Sequence, residues 1–409
     1  MREDLLQFIW RACYFNQSHL ITEAGEVLQV LSPGEWNTGQ GPDFRNARVR
    51  IDDVLYEGPV ELHVAASDWE RHGHGPDPLY KNVILHVVWE NDGGPAAIPM
   101  LVLQPHVSKL LLGQYGKWMN SQLFVPCAAQ LGRVAEPVWE QWKEQLLIQR
   151  LLRRTEEIRQ WLAANQQHWE EVTWRLMARS MGMPINGCTF EAIARSCSFR
   201  LLARYRDEPH RNRALLLGQA GLLEDPVLQE EYRFLRLRHQ LKPVEQPLLL
   251  RGIRPAHAPA RRLAQLAELF STGEGWWARI KEAVSPVDLD LTLRVQGVGE
   301  EMRRGIVVNA FVSLLFAYGE LRGEGAYREK ALRWLREEKA ERNSILDHWQ
   351  RLGVSVRTAA DSQSLLELKK SYCGARNCLN CAIGQSLLGR TSKAPVNSGS
   401  AGAAPGISA

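Results

Sequence analysis

The sequence lacks a long apolar run, a strong excess of one charge and an even set of cysteines. No stretch of about 18 apolar residues is present, which argues against a membrane span. The start, Met1 to Asp4, leads directly into an amphipathic segment without the apolar centre of a secretion signal. A formal net charge of +4 over 409 residues is too small to require a nucleic-acid partner by itself. We therefore expect a soluble, cytoplasmic protein.

The seven cysteines are an odd number, and three of them lie close together near the C-terminus. This distribution is typical of a reducing compartment with a metal site, and it does not favour a disulfide scaffold. Cys373, Cys378 and Cys381 have the spacing Cys-x4-Cys-x2-Cys, which suits a zinc ion or an iron–sulfur cluster. The open candidates for a fourth ligand are a histidine, Cys13, Cys127, Cys188 and Cys197. The competing interpretation is three reduced thiols packed at a helix start.

The apolar pattern changes its period near residue 109. Before this point, an amphipathic helix within 2–15 precedes runs with strand character at 20–22, 27–31, 47–51, 60–64 and 83–89. After it, helical spacing occurs at 137–165, 167–181, 189–206, 227–240, 259–271, 305–322, 325–350 and 362–370. We predict an α+β protein with an α/β domain at 1–108, a helical domain at 109–390 that ends in the cysteine motif, and a disordered tail at 391–409.

Two acids and a histidine form the densest chemical pattern. Asp43 follows a Gly-x-Gly-Pro loop, and Glu61 and His63 lie two residues apart in a predicted strand. Because strand side chains alternate between faces, Glu61 and His63 share one face. The two carboxylates would hold Mg²⁺ or Mn²⁺, and the imidazole would be a base or a third ligand. This pattern predicts a divalent-metal site for phosphodiester hydrolysis.

Asp68, His72 and His74 follow this strand and are predicted to belong to the same catalytic site, with the two histidines contacting phosphate or water. Each acid and histidine taken singly also has a structural interpretation. Asp43 would then be a turn residue, Glu61 a cross-strand partner of an arginine, and the loop histidines solvated residues. His86 lies in a run that is apolar on both faces, so we expect a core histidine and not a ligand.

Arginines are concentrated in several stretches of the helical region. The segment 251–262 carries Arg251, Arg254, Arg261 and Arg262, and its prolines indicate a rigid, non-helical loop. Arginine binds phosphate through two parallel hydrogen bonds, so the segment predicts a nucleic-acid contact, with DNA or RNA as the partner. The alternative is ordinary ion pairing with neighbouring glutamates on helix surfaces.

The acidic segment resembles the PD-(D/E)XK nuclease superfamily, in which an aspartate after proline is followed by an acid-x-lysine strand. Pro42-Asp43 and Glu61-x-His63 occupy these positions, with His63 in place of the lysine. The His72-x-His74 loop is similar to that of the very-short-patch repair endonucleases, which use histidines beside their metal site. The resemblance implies a restriction-endonuclease-like core and a metal-dependent nuclease. Histidine, however, does not supply the permanent charge of lysine.

The chain also resembles, over nearly its full length, the bacterial family called domain of unknown function 2851. The resemblance is carried by Gly41-Pro42-Asp43-Phe44, Gly58-x-Val60-Glu61-x-His63, Ser67-Asp68-Trp69-x-x-His72-x-His74 and the late cysteine group. It implies no particular activity, so the nuclease hypothesis depends on the residues themselves. The alternative hypothesis is a non-catalytic nucleic-acid-binding protein on a degenerate nuclease fold, with the cysteine site as a structural staple.

Overall fold

A computed structural model of the protein describes residues 1–94, 97–250, 258–272 and 275–392. They form two compact units: unit 1 comprises Met1–Trp142 together with the chain from Lys369 onward, and unit 2 comprises Lys143–Leu368. This division differs from the predicted boundary at residue 108, because residues 109–142 and the cysteine-bearing segment fold together with the N-terminal sheet. From residue 393 on, the predicted tail lies outside the described residues.

Unit 1 is built on a mixed sheet. Its strands within the described residues are β1 (Leu20–Ile21), β2 (Val27–Ser32), β3 (Glu35–Trp36), β4 (Phe44–Ile51), β5 (Val54–Ala65), β6 (Leu85–Glu90) and β7 (Met100–Val102). The order is β1-β2-β4-β5-β6-β7, and β3 pairs with the start of β4. The β5-β6 and β6-β7 pairs are parallel and the others antiparallel. The predicted strand runs are confirmed, whereas β3 and β7 were too short to produce a periodic signal.

Helices form most of the remaining described chain. They are α1 (Glu3–Arg11), α2 (Asp68–Arg71), α3 (Lys109–Met119), α4 (Glu136–Ala164), α5 (Trp169–Gly182), α6 (Gly187–Ser196), α7 (Phe199–Arg204), α8 (Pro209–Gln219), α9 (Pro226–His239), α10 (Pro259–Thr272), α11 (Trp276–Glu282), α12 (Pro286–Asp290), α13 (Glu300–Ile306), α14 (Val312–Arg322), α15 (Gly325–Glu337), α16 (Ser344–Arg351), α17 (Ala359–Glu367) and α18 (Ala382–Ser392). The prediction of an N-terminal sheet followed by a mostly helical region is confirmed.

One helical run in unit 2 is long and apolar enough to cross a membrane by length and composition. It spans the 23 residues Glu300–Arg322, in which a π-helical turn at Val307–Phe311 joins α13 to α14. In its apolar window, 72% of the residues are buried inside the fold. Such burial is typical of a core helix, so this run gives little support for a membrane span.

The strands that carry the candidate site are anchored by an apolar core. Along β4, Phe44, Ala47, Val49 and Ile51 are buried, and the charged residues between them are exposed, as expected for strand alternation. Strand β5 departs from this pattern, because residues on both of its faces are buried between Val60 and His63. The strand face that bears the predicted catalytic residues is therefore covered by other parts of unit 1.

Phe44 is fully buried, pairs with Val60 across the β4–β5 ladder and directly follows Asp43. We expect Phe44→Ala to lower the free energy of unfolding of unit 1 by about 3–5 kcal/mol, since it leaves a large cavity. Amide hydrogen exchange on β4 and β5 would measure the loss. The matched change Trp36→Ala, at a side chain that is 42% exposed, should cost much less. Equal costs would contradict the assignment of Phe44 to the core.

Candidate metal centre

Asp43 and Glu61 meet across the start of the β4–β5 ladder. The amide N–H of Asp43 donates to Glu61 Oε2 at 2.9 Å, and the amide N–H of Leu62 donates to Asp43 Oδ2 at 3.2 Å. From α1, Gln7 Nε2 donates to Asp43 Oδ1 at 2.8 Å. The register that pairs Phe44 with Val60 therefore brings together two acids that lie eighteen residues apart in the sequence.

The two carboxyl groups lie in a region that disfavours negative charge. Burial raises the pKa of Asp43 to about 6, an effect that the hydrogen bond from Gln7 partly offsets and the charge of Glu3 increases. Burial, together with the nearby charge of Asp43, raises the pKa of Glu61 to about 8. Two buried acids with raised pKa values are typical of a site that binds a cation or transfers a proton.

His63 lies two residues further along β5, and a second histidine holds its ring. His63 Nδ1 and His86 Nε2 of the neighbouring strand β6 are 2.8 Å apart, and both side chains are buried. One of these nitrogens must carry the proton. If His63 Nδ1–H donates to His86, then His63 Nε2 is left with a free lone pair, which is the usual arrangement of a metal-binding histidine. The sequence indicated a core histidine at position 86, and it did not indicate this contact.

The loop after α2 brings two more histidines to the same point. The turn passes through Gly73 at a φ of +73°, a conformation that favours glycine, and the amide of His74 donates to the Trp69 carbonyl at 3.1 Å. The ring of His74 stacks on Tyr80 with 3.8 Å between the centroids. His72 is exposed, and its Nδ1 lies 3.2 Å from His63 Nε2.

Three imidazole nitrogens converge as a result, and one carboxylate oxygen lies beside two of them. Glu61 Oε1 lies 3.3 Å from His74 Nε2 and 3.6 Å from His63 Nε2, and one ligand atom each of His63, His72 and His74 lie within 4.8 Å of one another. Ligand atoms held at 2.0–2.1 Å around a tetrahedral ion are about 3.3 Å apart. His74 Nε2 is buried and makes no hydrogen bond within the described residues, so a metal ion would satisfy it. The spacing and the donor types fit a divalent transition-metal ion.

Asp68, the remaining acid predicted for this site, lies outside this donor set. One of its oxygens accepts from the Ala65 amide at 3.2 Å, and the other is 2.6 Å from the Arg71 guanidinium. Its charge acts on His86, whose pKa burial and His74 lower to about 4 and Asp68 partly restores. Asp68 therefore affects His86 through its charge and does not belong to the group of converging ligand atoms.

A cleft beside Gln7 provides a surface next to the carboxylates. It is lined by Gln7, Arg11, Trp36, Arg376 and Asn377, together with neighbouring residues of unit 1. The guanidinium of Arg11 lies 4.7 Å from the Trp36 ring centroid, as in a cation–π contact. Gln7 belongs both to this cleft and to the hydrogen bonds of Asp43, so the cleft and the candidate site are adjacent.

The arginine segment of unit 2 differs from its predicted form. Arg251 and Arg254 lie outside the described residues, so their predicted contact with nucleic acid stays a prediction. Arg261 and Arg262 belong to the helix α10 and not to a non-helical loop, because Pro259 occupies the first helical turn, where proline is tolerated. Arg261 is exposed, whereas Arg262 is 6% exposed and packs beside Gln265. Burial makes Arg262 a poor phosphate contact.

The described residues form an α+β protein whose unit 1 holds a histidine-rich candidate metal centre. A sequence profile of the family described as "Protein of unknown function (DUF2851)" matches residues 3–297, well over half of the chain, and the chain belongs to this family. The matched region includes every residue of the candidate metal centre. No curated protein and no solved structure matches the chain.

Proposed function

We propose that the protein is a metal-dependent hydrolase that cleaves phosphodiester bonds in nucleic acid, with its catalytic centre on β5. The observation that carries the proposal is the convergence of His63, His72 and His74, with His72 Nδ1 3.2 Å from His63 Nε2 and Glu61 Oε1 3.3 and 3.6 Å from His74 and His63. The helix α1 and the β4–β5 hairpin that carries Asp43 support a restriction-endonuclease-like core. In this proposal, His63 replaces the lysine of that superfamily as a metal ligand.

Three imidazole nitrogens and one carboxylate favour Zn²⁺ or Mn²⁺ as the bound ion. Mg²⁺ prefers oxygen ligands and keeps several waters, so it would have to rely on Asp43 and Glu61 alone. Of the two ions expected from the sequence, Mn²⁺ therefore stays in the proposal, and Zn²⁺ is added to it.

A bound divalent ion would activate a water and neutralise charge on the phosphate. Asp43 is the proposed general base, because a carboxyl with a pKa of about 6 is mostly ionised at neutral pH and still accepts a proton. Glu61 Oε1 faces the histidines and its Oε2 accepts from the Asp43 amide, so Glu61 links the metal ligands to the base. His63 acts as a ligand, since burial and the surrounding histidines lower its pKa to about 3.

The cleft beside Gln7 is the proposed substrate surface. Arg11 offers its guanidinium group to phosphate, Arg376 adds positive charge while its terminal nitrogens bind the carbonyls of Trp118 and Ser121, and Trp36 is 42% exposed and offers ring surface to a base. These are the two kinds of contact that bind single-stranded nucleic acid without sequence preference.

A second candidate function follows from the number of ligands. If Glu61 joins the three histidines as a ligand, four protein donors fill a tetrahedral zinc shell and leave no position for water, as in structural zinc sites. The protein would then bind nucleic acid without cleaving it. The exposed position of His72 favours the catalytic candidate, because water can replace a metal ligand that lies at the surface.

The test is a cleavage assay on single- and double-stranded DNA and RNA, with metal-stripped protein supplied with Zn²⁺, Mn²⁺ or Mg²⁺. We expect wild type to cleave at least one substrate, and Asp43→Asn to keep full metal binding while losing about 100-fold or more in rate. Glu61→Gln should lose both metal and activity. The matched control is Glu57→Gln, at an exposed position of the same strand, and it should retain both.

Two results would overturn the proposal. Metal-loaded wild type that binds one stoichiometric ion and nucleic acid but cleaves none of the substrates would establish the second candidate. Cleavage that persists at the wild-type rate in both Asp43→Asn and Glu61→Gln would show that this site is not responsible for the activity.

A further inference from the structure

The late cysteine motif forms a tight turn in unit 1. It runs from a π-helical turn at Leu368–Cys373, through a 3₁₀ turn at Cys378–Asn380, to the start of α18. Backbone hydrogen bonds close it, from the Asn377 amide to the Tyr372 carbonyl at 2.8 Å and from the Cys381 amide to the Cys378 carbonyl at 3.3 Å. A Cβ at Gly384 would lie 2.3 Å from the Cys378 carbonyl oxygen, so this close approach requires glycine.

A fourth cysteine comes to this turn from a distant part of the chain. Arg376 donates to the carbonyls of Trp118 and Ser121, and Lys369 donates to the carbonyl of Phe124 and covers its ring. These contacts hold the segment before Cys127 against the turn. The 3₁₀ helix Ala128–Arg133, which directly follows Cys127, packs against α18, which directly follows Cys381.

The surroundings of these four cysteines fit thiolates bound to a metal centre. Cys127, Cys378 and Cys381 are buried, Cys373 is partly buried, and none of the four forms a disulfide. Trp142 has a buried indole N–H without a nitrogen or oxygen acceptor in the described residues, and this N–H faces the Cys381 sulfur. Burial raises the pKa of the Cys381 thiol, and hydrogen bonds from the amides of Gly384 and Ile383 and from Trp142 partly offset this rise. N–H groups and cations around sulfur stabilise thiolate ligands, and burial alone disfavours them.

The spacing of the sulfurs indicates the kind of centre. Four sulfurs bound to one zinc ion at about 2.3 Å lie about 3.8 Å apart. Among the described residues, the set of ligand atoms within 4.8 Å of one another is that of the three histidines, and no three of the cysteine sulfurs meet this spacing. Four thiolates that are more widely spaced suit the several iron atoms of a cluster.

We propose that Cys127, Cys373, Cys378 and Cys381 bind an iron–sulfur cluster, with Cys127 as the ligand that joins the segment after α3 to the C-terminal turn. The cluster would fix Arg376 and Asn377, which lie between its ligands in the sequence. The cluster proposal is independent of the hydrolase proposal, because it concerns a different set of ligands and its test does not use an activity assay.

The experiment is anaerobic purification of the full chain, followed by an absorbance spectrum and by iron, sulfide and zinc analysis. We expect a coloured protein with iron and acid-labile sulfide, and a loss of most of both in Cys127→Ser. The matched control Cys188→Ser, at an exposed thiol in unit 2, should keep them. Stoichiometric zinc without iron, or iron and sulfide retained in full by Cys127→Ser, would overturn the proposal.

A second variant guards against misfolding of Cys127→Ser. Trp142→Phe preserves the aromatic packing but removes the N–H that faces Cys381. We expect it to keep its iron and sulfide and to show a more negative reduction potential, since one hydrogen bond to a ligand sulfur is lost. A potential equal to that of wild type, measured by spectroscopic redox titration, would contradict the placement of the cluster next to Cys381.

Discussion

Zn²⁺ added to the metal-free protein should stabilise unit 1 by about 4 kcal/mol at a free concentration a thousand times its dissociation constant, and His74→Ala should abolish this gain at the histidine site. The gain follows from mass action, because the ion binds the folded arrangement of Glu61 and the three histidines, and the unfolded chain does not present it. Amide hydrogen exchange on β5 with increasing Zn²⁺ measures the effect.

Zinc also binds thiolates, so the comparison must isolate the histidine site. The difference between wild type and His74→Ala removes any contribution from cysteines, which both proteins share. His210→Ala, at an exposed position on α8 in unit 2, is the matched control and should keep the full gain. An equal gain in wild type and His74→Ala would show that the histidines are not the binding site.

The metal-free protein should be most stable between about pH 4.5 and 6.5, because in this window the effects of His63 and His86 on stability offset those of Glu61 and Asp43, and it should lose stability on either side. Below about 6.5, the unfolded chain protonates its histidines, whereas the folded protein keeps His63 and His86 neutral until about pH 3 and 4. Stability therefore falls as the pH drops. Above about 4.5, the unfolded chain ionises Glu61, whereas the folded protein keeps it protonated up to about pH 8. Stability therefore also falls as the pH rises through this range.

Glu61→Gln tests the alkaline side of this profile. Glutamine cannot ionise, so the variant should be roughly 2–4 kcal/mol more stable than wild type at pH 9 in the presence of a chelator, and close to wild type near pH 5. Glu57→Gln should follow the wild-type profile, since this residue is exposed. Denaturant unfolding across the pH range, followed by hydrogen exchange on β5, gives the measurement. A wild-type stability that does not change between pH 6 and pH 9 would refute the burial of an uncharged Glu61.

Zn²⁺ binding and the pH profile depend on two kinds of feature, of which the sequence predicts one and not the other. The alternation along β5 is enough to put Glu61 and His63 on one face, because side chains in a strand repeat every two residues. It does not show that this face is buried. Covering it requires the loop with His72 and His74 to fold back on the strand, and the turn at Gly73 and the stacking on Tyr80 are tertiary features.

The pattern of a single strand does not show which residue His86 contacts. Its run, Leu85–Glu90, is buried along nearly its whole length, which is typical of a central parallel strand and supports a core residue. The parallel pairing of β5 with β6 decides what the ring contacts, and it brings His86 Nε2 to 2.8 Å from His63 Nδ1. A polar residue in an apolar run was the available signal, but its partner could not be inferred from the run.

Two properties of this protein follow from the sequence by itself: the division into a strand-rich beginning and a helical remainder, and the local groups of acids, histidines and cysteines. Both depend on short-range periodicity and spacing, which the backbone geometry of strands, helices and turns determines. The tertiary structure decided which groups meet. It placed the segment before Cys127 against the late cysteine turn and two of the three converging histidines beside Glu61, and it buried Arg262. Contacts between distant segments depend on how whole surfaces pack, and no local pattern in the chain records that.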